Sequence, residues 1–216
     1  MPSNRASGGV YQRVKEVYPN PIGFPQADAE KVVTAFNEHL ALTYVLYFQV
    51  KKHHWLVRGP QWHDIHLLLD EVAAELIEQA DFFAERITYF GGIPISTLST
   101  FQELSPVKPE GDDLRDLKEM LGNDIIGTVS SLKKLREAHE MLDEIGDVFD
   151  VSKIEEFIGA REKFCHELHF YIEPDDLAAG AADPHKEVLL ADKNLARQVS
   201  GDPEPKTAAA TNGASK

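Results

Sequence analysis

The chain has 216 residues, 43% of them hydrophobic and 27% charged, which fits one globular domain with extended ends. Its formal net charge of −14 argues against a body that binds nucleic acid through a broad basic surface and is compatible with a surface that attracts cations. Because no stretch approaches the roughly 18–20 apolar residues that cross a membrane and no apolar run near the N-terminus resembles a signal peptide, we expect a cytoplasmic protein without membrane contact.

Two long helices are predicted in the first half of the chain. Residues 1–27 are rich in proline and glycine and are expected to form a flexible arm. From Asp28 to about Val57, apolar residues recur at three- and four-residue spacing, which is the period of one helix face. The Gly59-Pro60 step ends this helix, and Pro60 opens the second one, which stops at the Gly91-Gly92 pair.

The second half repeats this pattern after an irregular connection. Residues 93–110 show little periodicity apart from one short helix around 100–104. A third helix is predicted over about 112–145 and a fourth over about 150–173. Two pairs of long helices with one connection are typical of an all-α, antiparallel four-helix bundle with one crossover, here expected over 28–173.

The C-terminal residues differ from the rest in composition, and 174–216 are predicted to form a tail outside the bundle. Residues 184–200 fit one amphipathic helix, whereas 201–216 are poor in large apolar residues and are expected to be disordered. The single cysteine, Cys165, excludes an intrachain disulfide and a cysteine-based zinc cage, and we interpret it as a small buried side chain.

The second predicted helix carries two pairs of metal-ligating side chains. His66 and Asp70 are four residues apart and share a face, and Asp81 and Glu85 repeat this arrangement. Eleven residues separate Asp70 from Asp81, which is close to three turns, so both pairs lie on nearly one face. Since that face also has apolar residues, we expect the carboxylates to be partly buried, which is costly unless they bind a metal. Histidine and carboxylate together suit iron, zinc or manganese.

One copy of this helix cannot bring the two pairs to the same ion. His66 and Asp81 are 15 residues apart, or about 22 Å along the helix. Two copies packed antiparallel about a two-fold axis would place His66 and Asp70 of one subunit opposite Asp81 and Glu85 of the other, giving two identical sites per dimer. His54, near the end of the first helix, is expected to complete each site.

The residues around this set resemble a known family. The run HWLVRGPQWHDIHLLLD at 54–70, followed by DFFAER at 81–86 and Gly91-Gly92, resembles the signature of Dps proteins. These are mini-ferritins of the ferritin-like superfamily that assemble as hollow twelve-subunit shells, and the resemblance extends over about 30–173. It implies an intersubunit ferroxidase site with Trp55 as the aromatic residue beside it. The implied ligands are His54, His66 and Asp70 of one subunit and Asp81 and Glu85 of its partner.

The resemblance also implies an activity and an assembly. The expected reaction is oxidation of Fe(II) to Fe(III), preferably with hydrogen peroxide, followed by storage of the ferric mineral inside a dodecamer built from dimers. Two-electron use of peroxide by paired Fe(II) ions avoids releasing hydroxyl radical, so the protein would protect against oxidative damage. Zinc is an alternative occupant of the same site.

Other histidines and acids leave several alternatives open. Many relatives have Asp-Lys-x-x-Trp where this chain has HELHF at 166–170. Two pairs on the fourth helix, Glu162 with His166 and His169 with Glu173, have i,i+4 spacing. This spacing fits an additional metal site or ion path, and a solvated helix face is the alternative.

The remaining histidines also leave alternatives open. His63 is either an accessory ligand or a surface histidine. Of the adjacent His53 and His54, only one should reach the site; His39 and His139 are interpreted as structural or exposed.

The start of the fourth helix is rich in acids. In relatives this region lines a pore on a three-fold axis, and a ring of carboxylates would concentrate Fe(II) there. The alternative explanation is that these acids are present because negative charge stabilises the N-terminus of a helix. The acidic residues concerned are Asp143, Glu144, Asp147, Asp150, Glu155 and Glu156.

Competing functions make different demands on the sequence. A di-iron site inside one bundle uses Glu-x-x-His, and none of the nine histidines has a glutamate three residues before it. A further alternative is a helix–helix contact without metal, in which Arg58 and Arg86 form salt bridges with the carboxylates.

DNA compaction usually requires a basic tail. Residues 174–216 contain five basic and seven acidic residues, a net of −2, so we expect weak or absent DNA binding. A structural shell whose tail recruits a partner is the remaining possibility.

Overall fold

The computed structural model describes residues 9–173, and the predictions for 1–8 and for the tail at 174–216 lie outside these residues. Four long helices form an all-α bundle, as predicted. A short helix lies in the crossover and packs on the first helix. The five helices are α1 (Gln26–Leu56), α2 (Trp62–Tyr89), α3 (Leu98–Leu104), α4 (Leu117–Glu144) and α5 (Val148–Ile172). None of these described helices is both long and apolar enough to span a membrane.

The helix starts differ from the predicted ones where a side chain caps the backbone. α4 begins about five residues later than expected, because Asp116 accepts a hydrogen bond from the backbone N–H of Glu119 at 3.0 Å. α5 begins earlier than expected, because Asp147 caps it by accepting from the N–H of Asp150 at 3.1 Å. Gly146 precedes this cap with a φ of 76°, a left-handed conformation that glycine adopts without strain.

The apolar core extends along the bundle in two clusters. One is centred on Phe36 and Phe83, whose rings meet edge to face at 5.2 Å. The other includes Leu46, Ile65 and Leu69, which lie where the end of α1 packs on the start of α2. Because α1 and α2 share this second cluster, His54 of α1 and His66 of α2, which lie between its members in sequence, are held close to each other.

Polar side chains occupy part of the interior between the helices. Arg161 of α5 is fully buried and donates a hydrogen bond to Gln79 Oε1 of α2 at 2.7 Å. Burial lowers the pKa of Arg161 to about 10, so the group stays positively charged at neutral pH. His39 of α1 is also buried and stacks on Phe83 at 5.0 Å. A guanidinium inside the bundle disfavours the alternative of an in-bundle di-iron site.

Acid should destabilise the protein through His39. Burial lowers the pKa of this imidazole from 6.5 to about 4, so the unfolded chain binds more protons than the folded one between these pH values. The free energy of unfolding should therefore fall as the pH drops from 6.5 to 4, by on the order of 3 kcal/mol from this group. Urea unfolding across this range should show a flatter profile for His39→Phe. The exposed control His166→Ala should keep the wild-type slope, and an unchanged slope in His39→Phe would contradict the assignment.

The described part of the N-terminal arm lies against the end of α2. The Tyr18 N–H donates to the carbonyl oxygen of Gly91 at 2.9 Å, and Gln12 Nε2 donates to the same oxygen at 2.7 Å. A Cβ atom at position 91 would lie 2.1 Å from the Tyr18 carbonyl oxygen, and the φ of Gly91 is 81°. Glycine at 91 therefore both ends α2 and allows the arm to approach.

Candidate metal centre

Two of the predicted ligands form a reciprocal histidine pair between α1 and α2. The Nδ1 atom of His54 lies 2.9 Å from the carbonyl oxygen of His66, and His66 Nδ1 lies 2.9 Å from that of His54. The two rings stack with their centroids 3.8 Å apart. A carbonyl oxygen only accepts hydrogen bonds, so each Nδ1 is assigned the proton. In the neutral form of both rings, Nε2 is then the atom free to bind a metal.

Asp70 joins this pair, together with a lysine that sequence reasoning missed. Asp70 Oδ1 lies 3.8 Å from His54 Nε2 and also accepts a hydrogen bond from the Lys51 ammonium group. The hydrogen bond from Lys51 lowers the pKa of Asp70 below its usual value. Lys51 precedes His54 by three residues, so both project from the same side of α1. The chain thus brings His54, His66 and Asp70 together, with an ammonium group on the carboxylate.

Asp81 and Glu85 are on the same helix but do not reach the other three residues. Asp81 is 11 residues, or about 16 Å, beyond Asp70, and both acids are exposed. The expected burial of Asp70, Asp81 and Glu85 is therefore wrong for a single chain. The side of α2 that packs in the bundle presents residues such as Leu69 and Leu76, whereas the carboxylates are on the opposite side. Within residues 9–173, no three His, Cys, Asp or Glu side chains converge on a common metal position.

Arg86, predicted as a possible partner of these acids, faces the interior instead. Its guanidinium donates hydrogen bonds to Asp150 Oδ2 at 2.8 Å and to Asp147 Oδ2 at 3.4 Å. Arg86 therefore does not pair with Asp81 or Glu85, as the alternative of a metal-free helix contact required. Asp147 and Asp150 are buried, so neither is available to line a pore.

The adjacent His53 points away from the pair, as predicted. Its ring is buried and bonds to Asp124 through Nδ1 at 2.8 Å and to Glu110 through Nε2 at 3.0 Å. Burial of the ring acts against its charge, but these two carboxylates outweigh it and raise the pKa of His53. Asp124 and Glu110 bond to different nitrogens of the His53 ring, so the two carboxylates do not converge on one metal position. Sequence reasoning missed this network because Glu110 and Asp124 are 57 and 71 residues from His53.

The other predicted positions do not form a second site within one chain. Glu162 is paired with Arg136 at 2.8 Å, and His166, His169 and Glu173 are exposed on α5. His63 is exposed at the start of α2. No partner was predicted for His139, but its Nε2 atom lies 3.2 Å from Glu155 Oε1.

The two tryptophans near the turn between α1 and α2 differ in their relation to the histidine pair. Trp55, which the resemblance places beside the site, is largely exposed and lines a groove of about 390 Å³ with Phe48 and Leu98. Neither His54 nor His66 lines this groove, so a place for Trp55 at the site stays a prediction. Trp62, which was not singled out, stacks on the ring of His66 with centroids 5.2 Å apart. The i,i+4 spacing of Trp62 and His66 was the only signal for this contact.

The Lys51 contact predicts a measurable effect on metal affinity. A divalent cation that binds Asp70 competes with the ammonium group for the charge of the carboxylate, so Lys51→Met should bind such a cation more tightly, by about two- to fivefold for an exposed pair. Isothermal titration with Co(II) measures this, and Lys52→Met, which removes the neighbouring lysine bound to Glu110, is the matched control. Weaker Co(II) binding by Lys51→Met would show that the lysine supports the site instead of competing for it.

Comparisons with known proteins identify the family and the relatives that this chain resembles. The chain matches the family model of the ferritin-like domain over residues 33–178. It is 36% identical over 154 residues to the DNA protection during starvation protein of Halobacterium salinarum, covering 71% of this chain and 85% of the relative. The crystal structure of an archaeal Dps homologue from Halobacterium salinarum is similar with a TM-score of 0.76 and 33% identity, covering 79% and 96% of the two chains. DpsC from Streptomyces coelicolor shares the fold, with a TM-score of 0.75, 24% identity and coverage of 77% and 98%.

Proposed function

Because the chain belongs to the Dps branch of the ferritin-like family, we propose that it oxidises Fe(II) to Fe(III) at intersubunit sites and stores the ferric product. The observation that carries this proposal is the histidine pair, which leaves two Nε2 atoms free beside Asp70 while Asp81 and Glu85 remain exposed on the same helix. The ligand set is divided between two ends of one helix face, so a second subunit is needed to complete it.

The exposed face of α2 supports a two-fold pairing with a defined register. The pairs 66 and 85, and 70 and 81, share one midpoint, between residues 75 and 76. An antiparallel second copy centred there brings Asp81 of the partner subunit to the level of Asp70, and Glu85 of the partner subunit to the level of His66. Near this midpoint the exposed face presents Ala74 and Ile77, and Leu67 lies one turn beyond Asp70. A partner helix would cover these apolar side chains, which favours association.

The chemistry of the site follows from the ligands available. Neutral imidazole and carboxylate bind Fe(II), and few ligands from the protein leave positions open for an oxidant. Two Fe(II) ions supply the two electrons that cleave the O–O bond of hydrogen peroxide, so no one-electron product is released. We also propose that hydrogen peroxide is the preferred oxidant and that the protein is a cytoplasmic dodecamer that stores the mineral inside. Its role would be protection under oxidative stress. Zinc, an alternative occupant, would block the reaction.

The test is to add Fe(II) anaerobically to the purified protein, then hydrogen peroxide, and to follow ferric absorbance. Fast oxidation with a mineral that stays soluble and co-elutes with the protein supports the proposal. Oxidation no faster than in buffer, or ferric precipitate outside the protein, would rule it out. Zn(II) added first should slow the reaction, because it competes for the same ligands.

DNA binding is a second candidate, favoured by the similarity to the DNA protection during starvation protein of Halobacterium salinarum. The net charge of −14 and the net of −2 for residues 174–216 oppose it, since affinity for DNA depends on neutralising phosphates with lysine and arginine. We expect weak or absent binding. A gel shift across a salt series decides this, and tight binding near about 150 mM salt would contradict the expectation.

A further inference from the structure

Trp62 has an unusual environment for a large aromatic side chain. It is the first residue of α2 and is 46% exposed, so burial in the apolar core does not account for it. Its indole instead stacks on the imidazole of His66, with centroids 5.2 Å apart and planes 29° apart. His66 in turn stacks on His54 at 3.8 Å and 21°. His66 is therefore the ring on which both an indole and a second imidazole stack.

The turn between α1 and α2 places the indole there. Gly59 has a φ of 103°, which lets the chain reverse within a few residues, and the N–H of Trp62 bonds to the Gly59 carbonyl oxygen at 3.0 Å. Trp62 is then one helical turn before His66, the spacing at which two side chains meet on a helix surface. The contact is local and does not depend on the rest of the bundle.

We propose that Trp62 is a positioning residue for His66, holding the imidazole plane so that Nε2 stays aimed at the metal. This inference rests on the proposed function. The torsion that turns an imidazole about its Cβ–Cγ bond has broad minima, so the hydrogen bond from Nδ1 to the His54 carbonyl does not by itself fix the plane of the His66 ring. A flat ring stacked on His66 restricts this rocking without adding a ligand.

The indole should also favour the metal-bound form. Binding of a cation at Nε2 withdraws electron density from the imidazole, and the electron-rich face of an indole attracts an electron-poor ring. The stack therefore stabilises the loaded site more than the empty one. Removing the indole should reduce metal affinity while leaving the bundle, whose core does not include Trp62, close to its original stability.

The experiment compares Trp62→Phe with Trp62→Leu, using Co(II) as the probe of the site. Phenylalanine keeps a flat aromatic ring, whereas leucine keeps apolar bulk without one. We expect Trp62→Leu to bind Co(II) about fivefold more weakly than the wild type, corresponding to ~1 kcal/mol, and Trp62→Phe to stay within about twofold. A role in packing alone would be restored equally by both, so equal affinities in the two variants would overturn the proposal.

Two further measurements separate this inference from the proposed function. With Trp55→Phe, Trp62 becomes the sole tryptophan, because the chain contains two. Its fluorescence should then change saturably as Co(II) binds, and an unchanged emission at saturating Co(II) would overturn the inference. Rapid iron oxidation by the wild type together with unchanged Co(II) affinity in Trp62→Leu would overturn only the role of Trp62. A wild type that neither binds Co(II) nor oxidises Fe(II) would overturn both.

Discussion

The double variant Asp81→Ala/Glu85→Ala is expected to lose peroxide-dependent Fe(II) oxidation by about 100-fold or more. Loss of a group that only supports a metal ligand typically costs 10- to 100-fold, and this variant removes two direct ligands from each proposed site. Both side chains are exposed in a single chain, so their removal leaves no cavity in the core. The measurement is the initial rate of ferric absorbance after anaerobic loading with Fe(II).

The control has to match the loss of charge. Glu71→Ala/Glu78→Ala removes two other exposed acids from α2, neither of them at a position that pairs with His66 or Asp70 in the proposed register. It should oxidise Fe(II) nearly as fast as the wild type. Both variants must be shown by size-exclusion chromatography to remain assembled. Equal, slow rates in the wild type and in the Asp81→Ala/Glu85→Ala variant would mean that the two carboxylates serve structure or another metal.

Arg86→Met is expected to be the most destabilising single change considered for this chain. The arginine bonds to Asp150 and Asp147, both buried at the start of α5. Burial already raises the pKa of Asp150 to about 7, which shows how unfavourable a charge is at that position. Without the guanidinium, Asp150 must either take up a proton or stay charged beside Asp147 in the interior, and breaking such a buried arrangement typically costs about 3–5 kcal/mol.

Equilibrium unfolding in urea, at one protein concentration for all variants, measures this loss. Lys153→Met is the control, because it removes the exposed pair with Glu156 and should change the free energy of unfolding by less than about 1 kcal/mol. Adding Asp147→Asn and Asp150→Asn to Arg86→Met should recover part of the loss, since neutral amides replace the unpaired charges. A loss below about 1 kcal/mol for Arg86→Met alone would show that the buried acids do not depend on the arginine.

Apolar periodicity and residue spacing were sufficient to predict the four long helices, the short crossover helix and the residues to examine for metal binding. These features are local: apolar periodicity defines a helix, and i,i+4 spacing places His66 with Asp70 and Asp81 with Glu85 on one face. The arithmetic of 15 residues and about 22 Å also predicted that one chain does not complete the set. In the structure, Asp81 and Glu85 are exposed on α2, 15 and 19 residues after His66.

Tertiary structure alone decided which charges are paired and which are free. The metal-free alternative paired Arg86 with acids of its own helix, yet Arg86 bonds to Asp150, 64 residues away, because α2 and α5 pack together at that level. The Lys51 contact with Asp70 depends on how α1 and α2 align, and His53 bonds to groups more than 50 residues distant. A side chain four residues away has few positions available, whereas the partner of a buried charge depends on how separate helices align, which no local pattern encodes.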